Sequence, residues 1–261
     1  MDRSSRALVG IALVVAATAC FGALDTITKV VSTSGVSVAM ALWVRFSVQV
    51  VATALTTLPT RGWSALHTEH PRFQLLRGLL LLSSSMLAYF SLRFLPVGEF
   101  TAIIMIGPLV ITVMAVIVLK ERVSLLRWVL VVGAFVGTLI IIRPGGDSFT
   151  WAMLLPLALV ACNAWCQVLT SQMARTEHPL TMHLYTGLVG ALVMGVALPF
   201  VWTALDASTW VLMLFMGLAA TVGHWLLILA YGRAPAATLT PYLYAQIGFA
   251  MLGGYLIFAH V

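Results

Sequence analysis

Three charged residues, Asp25, Lys29 and Arg45, stand inside stretches of otherwise apolar sequence. A charged side chain deep in hydrocarbon costs about 2.5–3.5 kcal/mol on insertion scales, so it persists there only when paired or used. Read as helices, the stretches place Asp25 ~9 Å and Arg45 ~12 Å from the same side of a bilayer, at about 1.5 Å of rise per residue. Near-equal depth on sequential antiparallel helices predicts an Asp25–Arg45 pair. Lys29, four residues after Asp25, shares its helix face, and Glu99 and Arg93 flank a turn on that same side. These five residues make one charge cluster with two readings. In the first, Arg45 or Lys29 meets an anionic group on a bound molecule while Asp25 or Glu99 meets a cationic group or cycles a proton. In the second, an ion-pair network locks the first two helices, and breaking it strands a buried charge at a cost of about 3–5 kcal/mol.

A second group is polar but uncharged at neutral pH: Asn163, Gln167, His224 and Gln246, beside Trp165, Trp225, Tyr242 and Tyr244. Each polar side chain needs a partner in hydrocarbon, and an aromatic-lined cavity with a few hydrogen-bonding groups suits a planar or amphipathic molecule. His224 can change charge near neutral pH. Interhelical hydrogen bonds, worth only about 0.6 kcal/mol each in membranes, explain the same residues without a ligand.

The elements that must carry these groups follow from composition. Apolar residues are 61% of the 261-residue chain and charged residues 8%, too few to cover a water-exposed globule. Nine apolar runs of roughly bilayer-spanning length occupy 8–31, 37–58, 73–92, 101–119, 125–142, 150–170, 180–202, 210–230 and 236–259. The fold class is therefore all-α, a polytopic transmembrane bundle. The net charge of +6 is spread over turns and not gathered into a patch, so nucleic acid is excluded as a partner and the lipid bilayer is the expected one. With the N-terminus cytoplasmic, Arg3, Arg6, Arg61, Arg72, Arg77, Lys120, Arg122, Arg127, Arg175 and Arg233 fall on the inner side, and only Lys29, Arg93 and Arg143 on the outer.

Other motifs narrow the chemistry. Cys20, Cys162 and Cys166 all lie in spans and read as small packing residues. The segment Ala17–Cys20 has the look of a signal cleavage site, but the apolar run continues past it, so an uncleaved first helix is expected. No phosphate-binding Gly-rich loop ends in Lys-Ser or Lys-Thr. His67, His70, His178 and His183 are read in or beside inner turns without metal-ligand spacing, so neither metal nor cofactor is expected. Pro108, Pro156 and Pro241 are candidate kinks. Gly133 with Gly137, and Gly187, Ala191 and Gly195, are small-residue stripes suited to close helix packing.

Displacing the sequence by 139 positions lays Pro96 on Pro235, Thr101 on Thr240, Ser85 on His224 and Gly107 on Gln246. The first half holds an odd number of spans, so its copy must enter the membrane from the opposite side: an inverted repeat, 1–146 and 147–261. On this register Lys120-Glu121 fall on Ala259-His260, and the chain is expected to stop one helix short of a symmetric ten, as a C-terminally shortened form in preference to a natural nine-span variant. The segments FGALDTITKVV at 21–31, WVRF at 43–46, SLRFLPVGEFTAIIMIGPLV at 91–110 and LKERVSLLRWVLVVGAFVGTLIIIRPG at 119–145 resemble the EamA family of the drug/metabolite transporter superfamily. The looser YGRAPAATLTPYLYAQIGFAMLGGYLIF at 231–258 resembles its second copy, with His260 where the family often has Glu. The resemblance covers essentially the whole chain. It implies two tandem five-helix repeats, nine helices being present here, and a secondary transporter of a small metabolite in the bacterial inner membrane. An amino-acid-like, flavin- or nucleoside-like, or opine-like cargo fits the implied class. Direction, proton coupling, and monomer versus homodimer stay open at this stage. The rival classes are a membrane-embedded enzyme acting on a lipid or prenyl substrate, disfavoured by the scarcity of clustered acidic groups, and a non-transporting membrane subunit.

Overall fold

A computed structural model describes residues 3–62, 66–142 and 150–258. Arg143, the 146/147 repeat boundary and His260 lie outside the described residues. Within them the chain is helical throughout, with no strand. The helices are α1 (Arg3–Thr33), α2 (Val38–Arg61), α3 (Pro71–Phe94), α4 (Val97–Ile104), α5 (Gly107–Ile117) and α6 (Leu125–Ile142), then α7 (Leu154–Met173), α8 (Pro179–Val201), α9 (Ala207–Tyr231), α10 (Ala236–Leu239) and α11 (Ala245–Phe258). Six of these elements, α1, α2, α3, α7, α8 and α9, are long and apolar enough to cross a membrane.

The fourth and ninth spans are broken. Between α4 and α5 the chain turns at Met105-Ile106, just before Pro108, which sits in the first turn of α5 and has no N–H to extend the preceding helix. Between α10 and α11 it tightens into a 3₁₀ turn, Thr240–Tyr244, that contains Pro241. Both broken spans start alike: Pro96 (φ −58°, ψ 149°) precedes α4 and Pro235 (φ −58°, ψ 150°) precedes α10. Pro156, by contrast, lies in the first turn of α7, where it breaks nothing. The helix after the first break meets the second break, with the Thr112 and Thr240 hydroxyls 2.9 Å apart.

Helix packing follows a pattern of matched pairs. α1 lies along α9 and α3 along α7; α1 also meets α11, while α7 meets α4 and α5; α2 meets α9 and α3 meets α8; α2 and α8 pack on each other. Moving each element by the 139 positions that carry Pro96 onto Pro235 exchanges the members of these pairs. Close approach rests on glycine. A Cβ on Gly190 of α8 would come within 2.3 Å of the Phe46 ring, and one on Gly217 of α9 within 2.8 Å of Val48. Gly187 and Gly195 also face α2, at Val50 and Trp43, as a packing stripe should. Gly133 and Gly137 do not: nothing stands within 4 Å of where their Cβ atoms would be.

The outer surface is apolar, with Leu55, Leu125, Val196, Phe200 and Leu256 all exposed. A surface of that kind is stable against lipid and not against water. Polar ends are tied down from within. Ser37 caps α2 by accepting from Met40 N–H (3.2 Å). Glu177 accepts from the Thr68 hydroxyl (2.7 Å) and from the Glu69 and His70 N–H groups (3.0 and 3.1 Å), fastening the loop before α3 to the loop before α8. Glu121, which follows α5, pairs with Arg175 (3.3 Å) and accepts from Ala237 N–H at the start of α10 (3.2 Å). Asp206 caps α9, accepting from the Ser208 hydroxyl, from the Thr209 hydroxyl (2.6 Å) and from the N–H groups of both (3.1 and 3.2 Å).

Two outcomes are expected. Gly190→Leu overpacks the α2–α8 contact and lowers stability by about 1–3 kcal/mol, whereas Gly133→Ala, with open space, is neutral or gains up to about 1 kcal/mol of helix propensity; thermal unfolding in detergent measures both. The hydrogen bonds of Ser208 and Thr209 hold the Asp206 carboxyl down at about 2, below the ~3.9 of an unfolded Asp. Its contribution is therefore complete above that unfolded value and disappears as pH falls through the folded one. Asp206→Ala should lower the Tm at pH 7, and the difference from wild type should close toward pH 2.

Candidate functional site

Elements from both ends of the chain line a cavity of about 150 Å³. Asp25 of α1, Arg45 of α2, Asn163 of α7, His224 of α9 and Gln246 of α11 all line it, as does Arg77 of α3. With Gln167, also of α7, six residues singled out from sequence for their polar side chains therefore meet at one place. Among the described residues Asp25 is its one acidic lining residue.

The charged groups are held by neutral partners, and the expected Asp25–Arg45 pair does not form. Among the described residues the ion pair within 4 Å is Arg175–Glu121. Asp25 Oδ2 instead accepts from the Gln246 amide (2.7 Å). Arg45 Nη1 donates to Ser85 Oγ (2.8 Å), which in turn donates to the Leu81 carbonyl (2.7 Å). Arg45 Nη2 stands 3.1 Å from His224 Nε2. A guanidinium has no acceptor, so Nε2 must accept and the imidazole is neutral, with its proton on Nδ1. Arg45 Nε has no partner although Arg45 is 6% exposed. The similar depth of Asp25 and Arg45 was legible; the direction of each side chain was not, and each finds a partner in the half of the chain far from it in sequence.

Spacing along the helices sorts the other candidates. Asn163 and Gln167 are one turn apart on the cavity face of α7, joined by a 2.5 Å hydrogen bond, and Tyr231 OH donates to Gln167 Oε1. Trp165 is only two residues from Asn163, about 200° around the helix, and points outward, 48% exposed. The same offset separates Tyr244 from Gln246. Tyr244 is buried against Met105, Val131 and Ile247, away from the cavity, and Tyr242 is exposed. The aromatic lining comes instead from Phe21 and Phe100, with the Phe21 ring 4.9 Å from that of His224.

Lys29 and Glu99 do not join the site. Lys29 Nζ donates to the Leu92 and Leu95 carbonyls (2.8 and 3.1 Å) and so closes the C-terminal end of α3, where unsatisfied carbonyls favour a cation. Glu99 is half-buried in the first turn of α4 and does not line the cavity. Two residues read as belonging to the inner rim prove to be interior. Arg77 is buried, its Nε donating to Thr170 Oγ1 (2.7 Å) and its Nη1 to the Met182 carbonyl (2.8 Å) and to Thr186 Oγ1. His183 is buried within α8, with Nδ1 2.7 Å from the Gln49 amide nitrogen and Nε2 2.9 Å from the Thr221 carbonyl. Arg77 carried the same signal as Arg45, a charge inside an apolar run; its nearness to the start of that run disguised it. Among the described residues no three His, Cys, Asp or Glu side chains gather as metal ligands.

Known proteins carry related sequences and the same fold. A riboflavin transporter of Vibrio cholerae is 28% identical over 82% of this chain and 72% of its own length. A riboflavin transporter of Rhizobium johnstonii is 28% identical over 98% of this chain and 85% of its own length. An S-adenosylmethionine uptake transporter of Rickettsia bellii is 27% identical over 76% and 68%, respectively. A crystal structure of a protein 19% identical to this chain superposes with a TM-score of 0.75, covering 98% of this chain and 88% of the other, a likeness of fold. The sequence profile of the EamA-like transporter family matches residues 8–143, more than half of the chain. A match of that extent, over the segment that carries Asp25, Arg45 and the Pro96 break, makes this chain a member of the EamA-like transporter family of the drug/metabolite transporter superfamily.

Proposed function

We propose that this protein is a secondary active carrier that moves a small metabolite across the bacterial inner membrane by alternating access, with its N-terminus in the cytoplasm. The observation that carries the reading is the polar cavity at the junction of the two halves, in which Asp25 is bonded by Gln246 and Arg45 by His224. Each bond joins a residue of the first half to one of the second, so a rocking motion of the halves would break and remake contacts at the cargo site itself. The matched helix pairs and the paired Pro96 and Pro235 breaks support the division into inverted repeats, 1–146 and 147–261. Repeats so arranged give two similar half-structures of opposite orientation, which is what two-sided access requires. The excess of Arg and Lys at one set of helix ends supports the orientation.

Cavity size and relatives bear on cargo. A volume of about 150 Å³ is below the roughly 300–1,000 Å³ of ordinary small-molecule pockets. The halves must therefore part to admit a metabolite and close around it. Relatives named for riboflavin and for S-adenosylmethionine support a small heterocyclic cargo. At the cytoplasmic end, the Glu121 bonds to Arg175 and Ala237 close the bundle and would open in the inward-facing state.

We assign proton coupling to Asp25, the acidic residue of the cavity, because a carboxyl that can lose Gln246 as a partner on rocking can exchange a proton with one side at a time. In proteoliposomes, wild-type protein should exchange labelled riboflavin, S-adenosylmethionine or a related metabolite and accumulate it under an imposed pH gradient. Asp25→Asn should lose gradient-driven accumulation by about tenfold or more, as expected when a membrane-embedded proton carrier is removed, yet retain exchange at equal pH. Undiminished accumulation by Asp25→Asn would remove the coupling role, and no exchange of any such metabolite by folded wild-type protein would sink the carrier reading.

A further inference from the structure

The cavity holds more positive charge than its own residues balance. Arg45 and Arg77 both line it, against the single carboxylate of Asp25. Neither guanidinium has a carboxylate within ion-pairing distance: Arg45 is held by Ser85 and His224, and Arg77 by Thr170, Thr186 and the Met182 carbonyl. Asp25, the potential counter-charge, is instead occupied by Gln246. A buried guanidinium without a counter-ion is expensive, and the expense recurs in every molecule unless something that binds there supplies the missing charge. Arg45 is the better placed of the two to receive it. Its Nε–H is buried with no acceptor, and it lies beside the His224 imidazole, whose Nδ1–H can also donate.

We infer that the cavity is a docking site for an oxyanion, a carboxylate or a phosphate, carried by the cargo and seated on Arg45 with Ser85 and His224 beside it. This deepens the carrier reading and rests on it for the identity of the cavity as a cargo site. Charge-assisted bonds from a planar guanidinium fit the two oxygens of such a group. As the anion arrives, the Arg45–His224 bond is released, because Nη2 turns to the ligand; His224 Nε2 is then free to take up a proton and donate it to the anion. Arg77, toward the opposite end of the cavity, keeps the field positive along the path and favours an anion throughout. The apolar wall supplied by Phe21 and Phe100 takes the remainder of the molecule.

Three probes of one ring and different charge test the assignment without knowledge of the cargo: benzoate, phenyl phosphate and benzyl alcohol, each added to purified full-length protein in detergent while thermal unfolding is followed. A ligand that binds only the folded state raises Tm by mass action. Benzoate or phenyl phosphate should raise it, with an apparent affinity about tenfold or more above that of benzyl alcohol, the scale of one charge-assisted hydrogen bond, and the better of the two anions names the group. Arg45→Gln should erase the preference while remaining folded, Arg45→Lys should retain part of it, and Lys29→Gln, remote from the cavity, should leave it whole. Equal shifts for all three probes, no shift with either anion, or a preference that survives in Arg45→Gln overturns the inference. Metabolite exchange by the same wild-type preparation, measured in proteoliposomes, shows whether the carrier reading stands when the anion site fails.

Discussion

A guanidinium held among hydrocarbon must draw its hydrogen bonds from the protein, since lipid offers none, and Arg45 imposes that demand at the centre of this bundle. Its partners come from two other helices, Ser85 on α3 and His224 on α9. They can reach it only if α2 lies close against its neighbours. The residues beside Arg45 show how that approach is secured: Phe46 seats on Gly190 of α8 and Val48 on Gly217 of α9, where no Cβ fits. The depth of α2, and hence of Arg45, is set by those two glycines. Stability and the polar site are in this way products of the same contacts.

The same rule governs the rest of the interior. Buried Thr and Ser hydroxyls return to the carbonyl one turn earlier, as Thr26, Thr53, Ser84 and Thr221 do. Helix ends that cannot close on themselves borrow charged side chains, Lys29 at the end of α3 and Glu177 at the start of it. Several buried atoms outside the cavity keep no partner, such as Gln49 Oε1, Gln74 Oε1 and Trp225 Nε1, but among the described residues the charged group with a spare donor, Arg45, stands on the cavity wall. A charged group left incompletely satisfied on the wall of a cavity concentrates binding capacity there.

Broken helices serve that concentration. The Met105-Ile106 turn and the Thr240–Tyr244 turn interrupt the two spans, and α5, which follows the first turn, meets the second through Thr112 and Thr240. Gly107, Pro108, Leu243 and Gln246, all at or next to the breaks, line the cavity. The prolines thus do more than bend a rod, because they bring short, adjustable segments to the wall of the site. Pro156, in the first turn of an intact helix, has no such effect.

The helical membrane bundle, the location of its runs and the presence of Asp25, Arg45, Asn163, His224 and Gln246 at interior depth were all legible in the chain, because each depends on hydropathy and on distance along a helix. Side-chain direction was not. Trp165 and Tyr244 lie two residues from cavity residues and face elsewhere, since two steps on a helix turn a side chain to nearly the opposite face. Asp25 and Arg45 share a depth but take partners from the far half of the chain, and Lys29 is claimed by carbonyls that only the packing of α1 against α3 brings within reach. Sequence alone determined which groups must be sheltered from lipid and how deep they lie, for that is set by local transfer energies. Tertiary structure decided which of them face one another, because rotation about each helix axis is chosen by glycine contacts and by cross-helix hydrogen bonds between residues 40 to 221 positions apart.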